Sequence, residues 1–217
     1  MSFFDDIQKK LARRSIKFIA ATEFRTTSDL LPVERKSISA ACDSRQREFA
    51  TGRWCARRLL SDMGAKSGEI RRGKKGEPIW PKGICGSITH TKAACCAIAC
   101  FKGRYQSVGI DIESASRRIS GPARELFLNK DELGWISRRR PDVCLAVFSI
   151  KESVYKTLFP LVKKPIPFSA LSVRPFKNGG GFDCLVKDDL SETVRAGQFL
   201  HGWKFQNRNW LLTVAAL

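Results

Sequence analysis

The chain has 217 residues and carries 39 Lys and Arg against 21 Asp and Glu, which gives a net charge of +18. Such an excess of positive charge indicates an anionic partner. Hydrophobic residues make up 43% of the chain, including 14 Phe and 5 Trp, and this share excludes a disordered protein. The longest uncharged apolar runs, 93–101 and 211–217, are far shorter than the roughly 20 residues that cross a bilayer. Because the N-terminus also lacks an apolar signal segment, the sequence predicts a cytoplasmic protein without a membrane span.

Eight cysteines raise the alternative of a zinc or disulfide framework. No two of them form a Cys-x-x-Cys pair, and the two histidines, His90 and His201, stand apart from any cysteine set with metal-ligand spacing. Several lie in apolar company, as in ACCAIAC at 94–100, where a reduced thiol behaves as a small buried hydrophobe. The pattern therefore predicts reduced, buried cysteines.

The first half of the chain alternates helical and strand patterns. An amphipathic helix is predicted at 3–14 and a strand within 15–23. A helical stretch follows at 33–63, with Gly64 as its stop. Residues 64–83 are rich in Gly, Lys and Pro and predict a basic loop, and 84–101 predict two strands.

The second half begins with a strand at 107–113. Helices are predicted at about 121–140 and at 142–158. The second helix should end before Pro160, Pro165 and Pro167, which break the helical pattern. Strands follow within 171–176, 181–186, 197–206 and 209–217, with turns at NGGG and QNRN. The least structured junction lies near 102–106, so we predict two subdomains, 1–106 and 107–217.

One helical face carries a regular basic pattern. Arg45, Phe49, Arg53 and Arg57 recur every four residues and therefore share one side of the predicted helix. A solvent-exposed arginine face explains this pattern, and so does a row of guanidinium groups that bind phosphate.

Acidic residues form a second pattern. Asp111 and Glu113 are two apart on a predicted strand, so both carboxylates lie on one face and need a counter-cation such as magnesium. An edge strand with an outward polar face is the alternative. Glu152 and Lys156 are four apart on a predicted helix, which by itself indicates only a surface ion pair.

Four blocks occur in a fixed order between residues 45 and 156: RQREFATGRWCAR, GEPIWPKGICGSITHT, VGIDIE and FSIKESVYK. In these blocks the chain resembles the 4'-phosphopantetheinyl transferases of the type that activates enterobactin and surfactin synthetases. The resemblance implies transfer of the phosphopantetheine arm of coenzyme A to a serine of a carrier protein, with release of 3',5'-ADP. It also implies an α+β fold of two similar α/β subdomains in a pseudo-twofold arrangement, with the active site in the cleft between them, and a monomer.

The resemblance assigns roles to individual residues. It implies a magnesium ion on Asp111, the Ile112 carbonyl, Glu113 and Glu152, in the C-terminal subdomain, with Glu152 as base or ligand and Lys156 stabilising the leaving group. The N-terminal subdomain would hold the phosphates and adenine of coenzyme A. The full set implied to contact coenzyme A is Arg45, Arg53, Arg72, Gly73, Lys74, Lys75, Thr89, His90, Asp111, Lys151 and Lys156. Thr89 stands where the family often has serine, and it retains the hydroxyl.

Two other functions compete with this interpretation. The basic composition suits a nucleic-acid-binding protein, but no helix-turn-helix, zinc-finger or aromatic RNA-binding motif occurs, so no nucleic acid is expected. A relative that binds coenzyme A without transfer is disfavoured because the acidic residues and Lys156 are retained. We therefore expect an acidic acyl or peptidyl carrier protein as the partner, attracted by the basic surface.

Overall fold

The computed structural model describes residues 2–66, 68–136, 141–174 and 180–217. These residues divide into two units, Met1–Tyr105 and Gln106–Leu217. Each unit packs one long helix on a wholly antiparallel sheet, which confirms the predicted α+β class. The sheets have three and five strands, so the two halves differ in strand number. The pseudo-twofold arrangement stays a prediction.

In the described part of the first unit the strand order is β1-β3-β2. The elements are α1 (Phe3–Ala12), β1 (Lys17–Ala21), α2 (Pro32–Lys36), α3 (Asp43–Asp62), β2 (Ile84–His90) and β3 (Cys95–Phe101). The basic loop predicted at 64–83 lies between α3 and β2.

The single helical stretch predicted at 33–63 is wrong, because α2 and α3 are separate helices. The Ser37 hydroxyl donates to the Glu34 carbonyl at 2.7 Å. Such local bonds compete with continuation of a helix. The predicted stop is confirmed, since α3 ends at Asp62 and Gly64 adopts φ 67°.

Helix α3 covers one face of the three-stranded sheet. Cys55, Leu59 and Leu60 of the helix are buried against Cys95 and Ala97 of β3. The helix lies so close that a Cβ atom at Gly52 would come within 2.9 Å of the Ile88 side chain. This packing fixes the arginine-bearing side of α3 relative to β2.

The second unit has strand order β4-β8-β7-β6-β5. Its elements are β4 (Val108–Ser114), α4 (Gly121–Glu125), α5 (Lys130–Ile136), α6 (Pro141–Val162), β5 (Leu171–Val173), β6 (Gly181–Val186), β7 (Phe199–Gln206) and β8 (Trp210–Ala216). The helix predicted at 121–140 is two short helices, and its last residues, 137–140, lie outside the described residues. Residues 178–179 of the predicted NGGG turn also lie outside them.

Pro160 does not end α6 as predicted, since the helix continues to Val162. Proline lacks the amide that would bond four residues back, but near the end of a helix this costs little. The Lys163 N–H still donates to the Phe159 carbonyl at 2.8 Å. Helix α6 therefore retains its full length over the sheet.

All eight cysteines are free thiols, which agrees with the predicted reduced state. Seven of them are buried as predicted, and Cys42 is exposed.

Among the described residues, no helix combines the length and the apolar character that a membrane crossing requires.

Candidate functional site

Helix α6 packs directly on the acidic face of β4. A Cβ atom at Gly109 would lie 2.1 Å from the Ser153 carbonyl oxygen, so only glycine permits this approach. Asp111 and Glu113 follow on the same face of the strand, because side chains alternate along a strand. The sequence thus places both carboxylates against the helix that carries Glu152 and Lys156.

Asp111 is held by two α6 side chains. Its Oδ2 accepts a hydrogen bond from the Ser149 hydroxyl at 2.8 Å, and its Oδ1 lies 2.8 Å from Lys156 Nζ. Ser149 also lies 2.9 Å from the Thr213 hydroxyl of β8. With 5% of its surface exposed, Asp111 is a buried carboxylate in a fixed orientation.

Glu113 and Glu152 form a negatively charged cluster with Asp111. Burial raises the pKa of Glu152 above its ordinary value, and the charges of Asp111 and Glu113 add to this, whereas Lys156 opposes it. Burial likewise raises the pKa of Glu113, against a hydrogen bond donated by Arg117. The two cations therefore compensate the three carboxylates only in part.

The Ile112 carbonyl points away from β8. Ser107 exchanges backbone hydrogen bonds with Leu217, and the Ala115 N–H donates to the Asn209 carbonyl. Because hydrogen-bonded and non-hydrogen-bonded pairs alternate in an antiparallel ladder, the pair Ile112 and Leu212 between them is non-hydrogen-bonded. The carbonyl is thus directed to the outer edge of β4, where the sheet ends.

Among the described residues, no three His, Cys, Asp or Glu side chains form a group that could hold a metal ion by themselves. Magnesium differs from zinc in this respect, because it usually binds one or two carboxylates and keeps waters or substrate phosphates as its other ligands. Burial and the neighbouring carboxylates raise the pKa values of Glu113 and Glu152, so a divalent cation beside them would favour their charged forms. The donor set therefore fits magnesium bound together with a phosphate.

Lys151 lies away from this cluster, in the interior. It is fully buried, and its ammonium donates to the Phe127 carbonyl at 2.6 Å and the Phe168 carbonyl at 3.1 Å. Its third partner is the Glu132 carboxylate at 2.7 Å. All three N–H groups thus have partners inside the second unit, and the contact of Lys151 with coenzyme A stays a prediction.

In the first unit, Arg53 is a buried cation with spare hydrogen-bonding capacity. Its side chain is 4% exposed, lies over the Phe49 ring at 4.2 Å, and donates from Nε to the Ile70 carbonyl at 2.9 Å. Its Nη2 has no hydrogen-bond partner among the described residues. A buried guanidinium with an unused N–H indicates a site for an anionic ligand.

Electrostatics place further arginines near Arg53. Burial lowers the pKa of Arg53 to about 10, and the positive charges of Arg45, Arg57 and Arg72 contribute, against the opposing effect of Glu34. Two other predicted phosphate ligands, Arg45 and Arg72, therefore each lie within electrostatic reach of Arg53. Such a concentration of positive charge favours a phosphate group.

Arg57 has a different role from the rest of the arginine row. Its guanidinium binds the buried Glu34 carboxylate and donates to the Asp29 carbonyl at 2.5 Å. The other carboxylate oxygen of Glu34 accepts from the Ile70 N–H at 2.9 Å. Arg57 thus ties α3 to the preceding segment, and the row divides into a structural member and ligand candidates.

His90 contacts Arg45 across the unit. The Arg45 Nη1 atom lies 2.6 Å from His90 Nε2, and Glu48 accepts from Arg45 at 3.1 Å. Thr89 is buried on the opposite face of β2 from His90, because successive side chains alternate. The structure therefore groups His90 with the arginines and places Thr89 on the other face.

The basic loop is closed by Glu77. The Gly73 N–H donates to the Glu77 carbonyl at 2.7 Å, and the Lys75 N–H donates to the Glu77 carboxylate at 3.0 Å. These two amides are therefore occupied by the chain itself in this structure. The side chains of Lys74 and Lys75 are exposed, and so is that of Arg72.

Several residues at these sites were not predicted. Ser149 lies three and seven residues before Glu152 and Lys156, a helical spacing that could have revealed it, and Glu48 likewise follows Arg45 by three. Glu132 and Thr213 carry no such signal. A pocket of about 620 Å³ also lies beside Glu48, and it is lined by Thr22, Phe24, Ser44, Arg47, Glu48 and Lys92.

Comparison with known families matches most of the chain. Residues 33–100 match the family described as the 4'-phosphopantetheinyl transferase N-terminal domain, and residues 107–215 match the 4'-phosphopantetheinyl transferase superfamily. Both candidate sites lie within these ranges.

Individual relatives agree with the family matches. The chain is 32% identical over 145 residues to the 4'-phosphopantetheinyl transferase Npt of Nocardia iowensis, covering 63% of this chain and 62% of the relative. It is 33% identical over 157 residues to the 4'-phosphopantetheinyl transferase Svp of Streptomyces mobaraensis, covering 70% and 64%. It is 30% identical over 149 residues to enterobactin synthase component D of Salmonella typhimurium, covering 67% and 62%. The chain thus spans less than two thirds of the length of these relatives.

Proposed function

Because the chain belongs to the 4'-phosphopantetheinyl transferase superfamily, we propose that it transfers the 4'-phosphopantetheine arm of coenzyme A to a serine of an acyl or peptidyl carrier protein. The serine oxygen forms a bond to phosphorus, the phosphorus–oxygen bond to 3',5'-ADP breaks, and the serine proton passes to a base. The observation that carries this proposal is the packing of α6 on β4, which groups three carboxylates and Lys156 in the range matched to the superfamily.

Magnesium would be held by one or two of the carboxylates of Asp111, Glu113 and Glu152, with the Ile112 carbonyl as a further candidate ligand and phosphate or water oxygens as the others. When bound, such an ion neutralises diphosphate charge. Glu152, whose pKa is raised by burial, would accept the serine proton directly or through water. Lys156, 27% exposed, would donate to the leaving phosphate once Asp111 binds the metal.

The first unit would bind the nucleotide part of coenzyme A. Arg53 presents its unused N–H, while Arg45, His90 and Arg72 supply further donors near it. Lys74 and Lys75 would add positive charge at the rim. Gly73 and Thr89 remain proposed contacts, and for Lys151 the buried ion pair favours an indirect role instead.

The carrier protein would be acidic and would associate through long-range attraction to a chain of net charge +18. Such association weakens as salt screens the charges. We expect the KM for the carrier to rise strongly between low and high ionic strength while the KM for coenzyme A changes less. A carrier KM that is the same at both ionic strengths contradicts an acidic partner.

The decisive experiment incubates the protein with coenzyme A, magnesium and an apo carrier protein, and measures the carrier by mass spectrometry. The expected product carries the phosphopantetheine mass increment, and a carrier with its acceptor serine replaced by alanine should not. Chelation with EDTA should abolish transfer and excess magnesium should restore it. Coenzyme A binding without an increment on any of several carriers would favour a non-catalytic relative, and binding of nucleic acid alone would favour a nucleic-acid-binding protein.

A further inference from the structure

Two cysteines of the first unit lie side by side in the sheet. Cys85 of β2 is directly opposite Cys100 of β3, and their sulfur atoms are 3.3 Å apart. Both are free thiols, 6% and 2% exposed. Neither belongs to the sites described above, so this contact has no role in the proposed transfer.

The backbone register places the two residues at a suitable distance for a covalent bond. The Lys102 N–H donates to the Gly83 carbonyl at 2.8 Å, and the Thr91 N–H donates to the Ala94 carbonyl at 2.8 Å. By alternation along the ladder, Cys85 and Cys100 form a hydrogen-bonded pair, whose Cα atoms are about 5.5 Å apart. Disulfides span Cα distances of about 4.4–6.8 Å. The Cα separation is therefore compatible with a disulfide, and a local shift must close the sulfur–sulfur distance from 3.3 Å to the bond length of about 2.05 Å.

The two sulfurs differ in their tendency to ionise. A hydrogen bond from the Cys100 thiol and the nearby Lys102 ammonium lower the pKa of Cys85. The pKa of Cys100 is raised, first by its hydrogen bond to Cys85 and then by burial. Cys85 is thus the sulfur that ionises more readily, and Phe101 and Lys102, which follow Cys100 at the end of β3, are exposed.

We propose that Cys85 and Cys100 are a peroxide-responsive thiol pair that oxidises to an intramolecular disulfide. The Cys85 thiolate attacks one oxygen of hydrogen peroxide, which breaks the O–O bond and gives a sulfenic acid with release of hydroxide. The Cys100 sulfur then attacks the sulfenic sulfur, the S–O bond breaks, and the Cys100 proton leaves with the hydroxyl as water. In total, two thiols and one peroxide give one disulfide and two waters.

The bond would stabilise the first unit and leave the candidate ligand residues in place. It closes a short loop through the β2–β3 connection and so removes conformational freedom from the unfolded chain. His90 is five residues from Cys85, or about 17 Å along an extended strand. This distance separates the crosslink from the candidate ligand His90. Because the crosslink restricts the unfolded chain, we expect a higher Tm in the oxidised protein.

The experiment treats the full chain with hydrogen peroxide, blocks remaining thiols with N-ethylmaleimide under denaturing conditions, and digests with trypsin. The expected product joins peptide 83–92 to peptide 93–102, with the mass of two hydrogens lost and reversal by dithiothreitol. Peptide 93–102 contains Cys95, Cys96 and Cys100, so fragment ions must place the link after Ala99. A link from Cys55 to Cys95, which are hydrogen-bonded to each other, would appear on peptide 54–57 and overturn the proposal.

Matched variants complete the test. Cys100→Ser should lose both the joined peptides and the rise in Tm, whereas Cys96→Ser, at a buried position in the same strand, should keep both. Full N-ethylmaleimide labelling of Cys85 and Cys100 after peroxide treatment of the wild-type protein would overturn the proposal. So would an equal rise in Tm in the Cys100→Ser variant.

Discussion

Lys151 and Glu132 form an ion pair in which both side chains are fully buried, with 2.7 Å between Nζ and Oε2. Lys151 lies on α6, directly before Glu152 in the sequence, and Glu132 lies on α5, so the ion pair joins the two helices. Glu132 also accepts from the Asn129 N–H at 2.9 Å and the Val173 N–H at 2.7 Å. Every charged or polar atom of the pair therefore has a partner, and the α6 residues near the carboxylate cluster are anchored to three segments of the second unit.

Replacing Glu132 by glutamine should destabilise the protein strongly, because it leaves the Lys151 charge buried without a counter-ion. Removal of one partner from a buried pair costs about 3–5 kcal/mol. Urea unfolding followed by circular dichroism measures the change in unfolding free energy.

The matched control for Glu132→Gln is Asp131→Asn, an exposed neighbour on α5. It should change the unfolding free energy by less than about 0.5 kcal/mol. The double variant Glu132→Leu with Lys151→Met should recover part of the loss, because it removes both charges. Equal unfolding free energies for Glu132→Gln and the wild type would show that the pair contributes nothing.

The residue pattern alone predicts neither the contact of Asp111 with α6 nor the Lys151 pair, and only the family resemblance implies that Asp111 and Glu152 act at one site. Two local spacings are visible in the sequence. Asp111 and Glu113 are two residues apart on a strand, and Glu152 and Lys156 are four residues apart on a helix. The buried position of Lys151 depends instead on Glu132, nineteen residues earlier on another helix, and no local pattern connects the two. The break between α2 and α3 was not predicted either. The Ser37 hydroxyl donates a hydrogen bond to the Glu34 carbonyl there, and this local bond competes with the helix that the apolar spacing predicts.

Glu152→Gln should make the metal-free protein more stable at pH 8 than the wild type. The pKa of Glu152 is raised in the folded state, so the folded protein binds its proton more tightly than the unfolded chain does. At pH values above both pKa values, the wild type is penalised for burying the charge, and glutamine removes that penalty. As the pH falls through the raised pKa, the wild type becomes protonated and the advantage of glutamine disappears.

Urea midpoints of both proteins in EDTA, measured from pH 4 to pH 8, test this dependence. The same variant should lose transfer activity at saturating magnesium. Full activity of Glu152→Gln would exclude Glu152 as the base, and a stability difference that is the same at every pH would contradict the raised pKa.

Arg45→Gln should weaken coenzyme A binding by about 10–100-fold, since a hydrogen bond to a charged group contributes about 1.5–3 kcal/mol. Arg45 faces outward beside His90 at 2.6 Å, so its loss should not disturb the core. Arg58→Gln is the matched control, because Arg58 lies on the same helix with 62% of its side chain exposed and pairs with Asp62. Isothermal titration calorimetry gives both affinities, and equal Kd values for the two variants would remove Arg45 from the binding site.

Gly109→Ala tests whether close packing of β4 on α6 maintains the site. The new methyl group would lie 2.1 Å from the Ser153 carbonyl and 2.6 Å from the Thr157 nitrogen, both backbone atoms of α6. Strand and helix must therefore separate, at a cost of about 1–3 kcal/mol or more. Because Asp111 and Lys156 lie on the two elements that separate, transfer activity should fall even at temperatures where the variant is folded.

Gly134→Ala, in α5 with open space around the added methyl group, should keep full activity and gain about 0.5–1 kcal/mol from helix propensity. Unchanged activity and stability in Gly109→Ala would show that the β4–α6 contact does not hold the carboxylates in place.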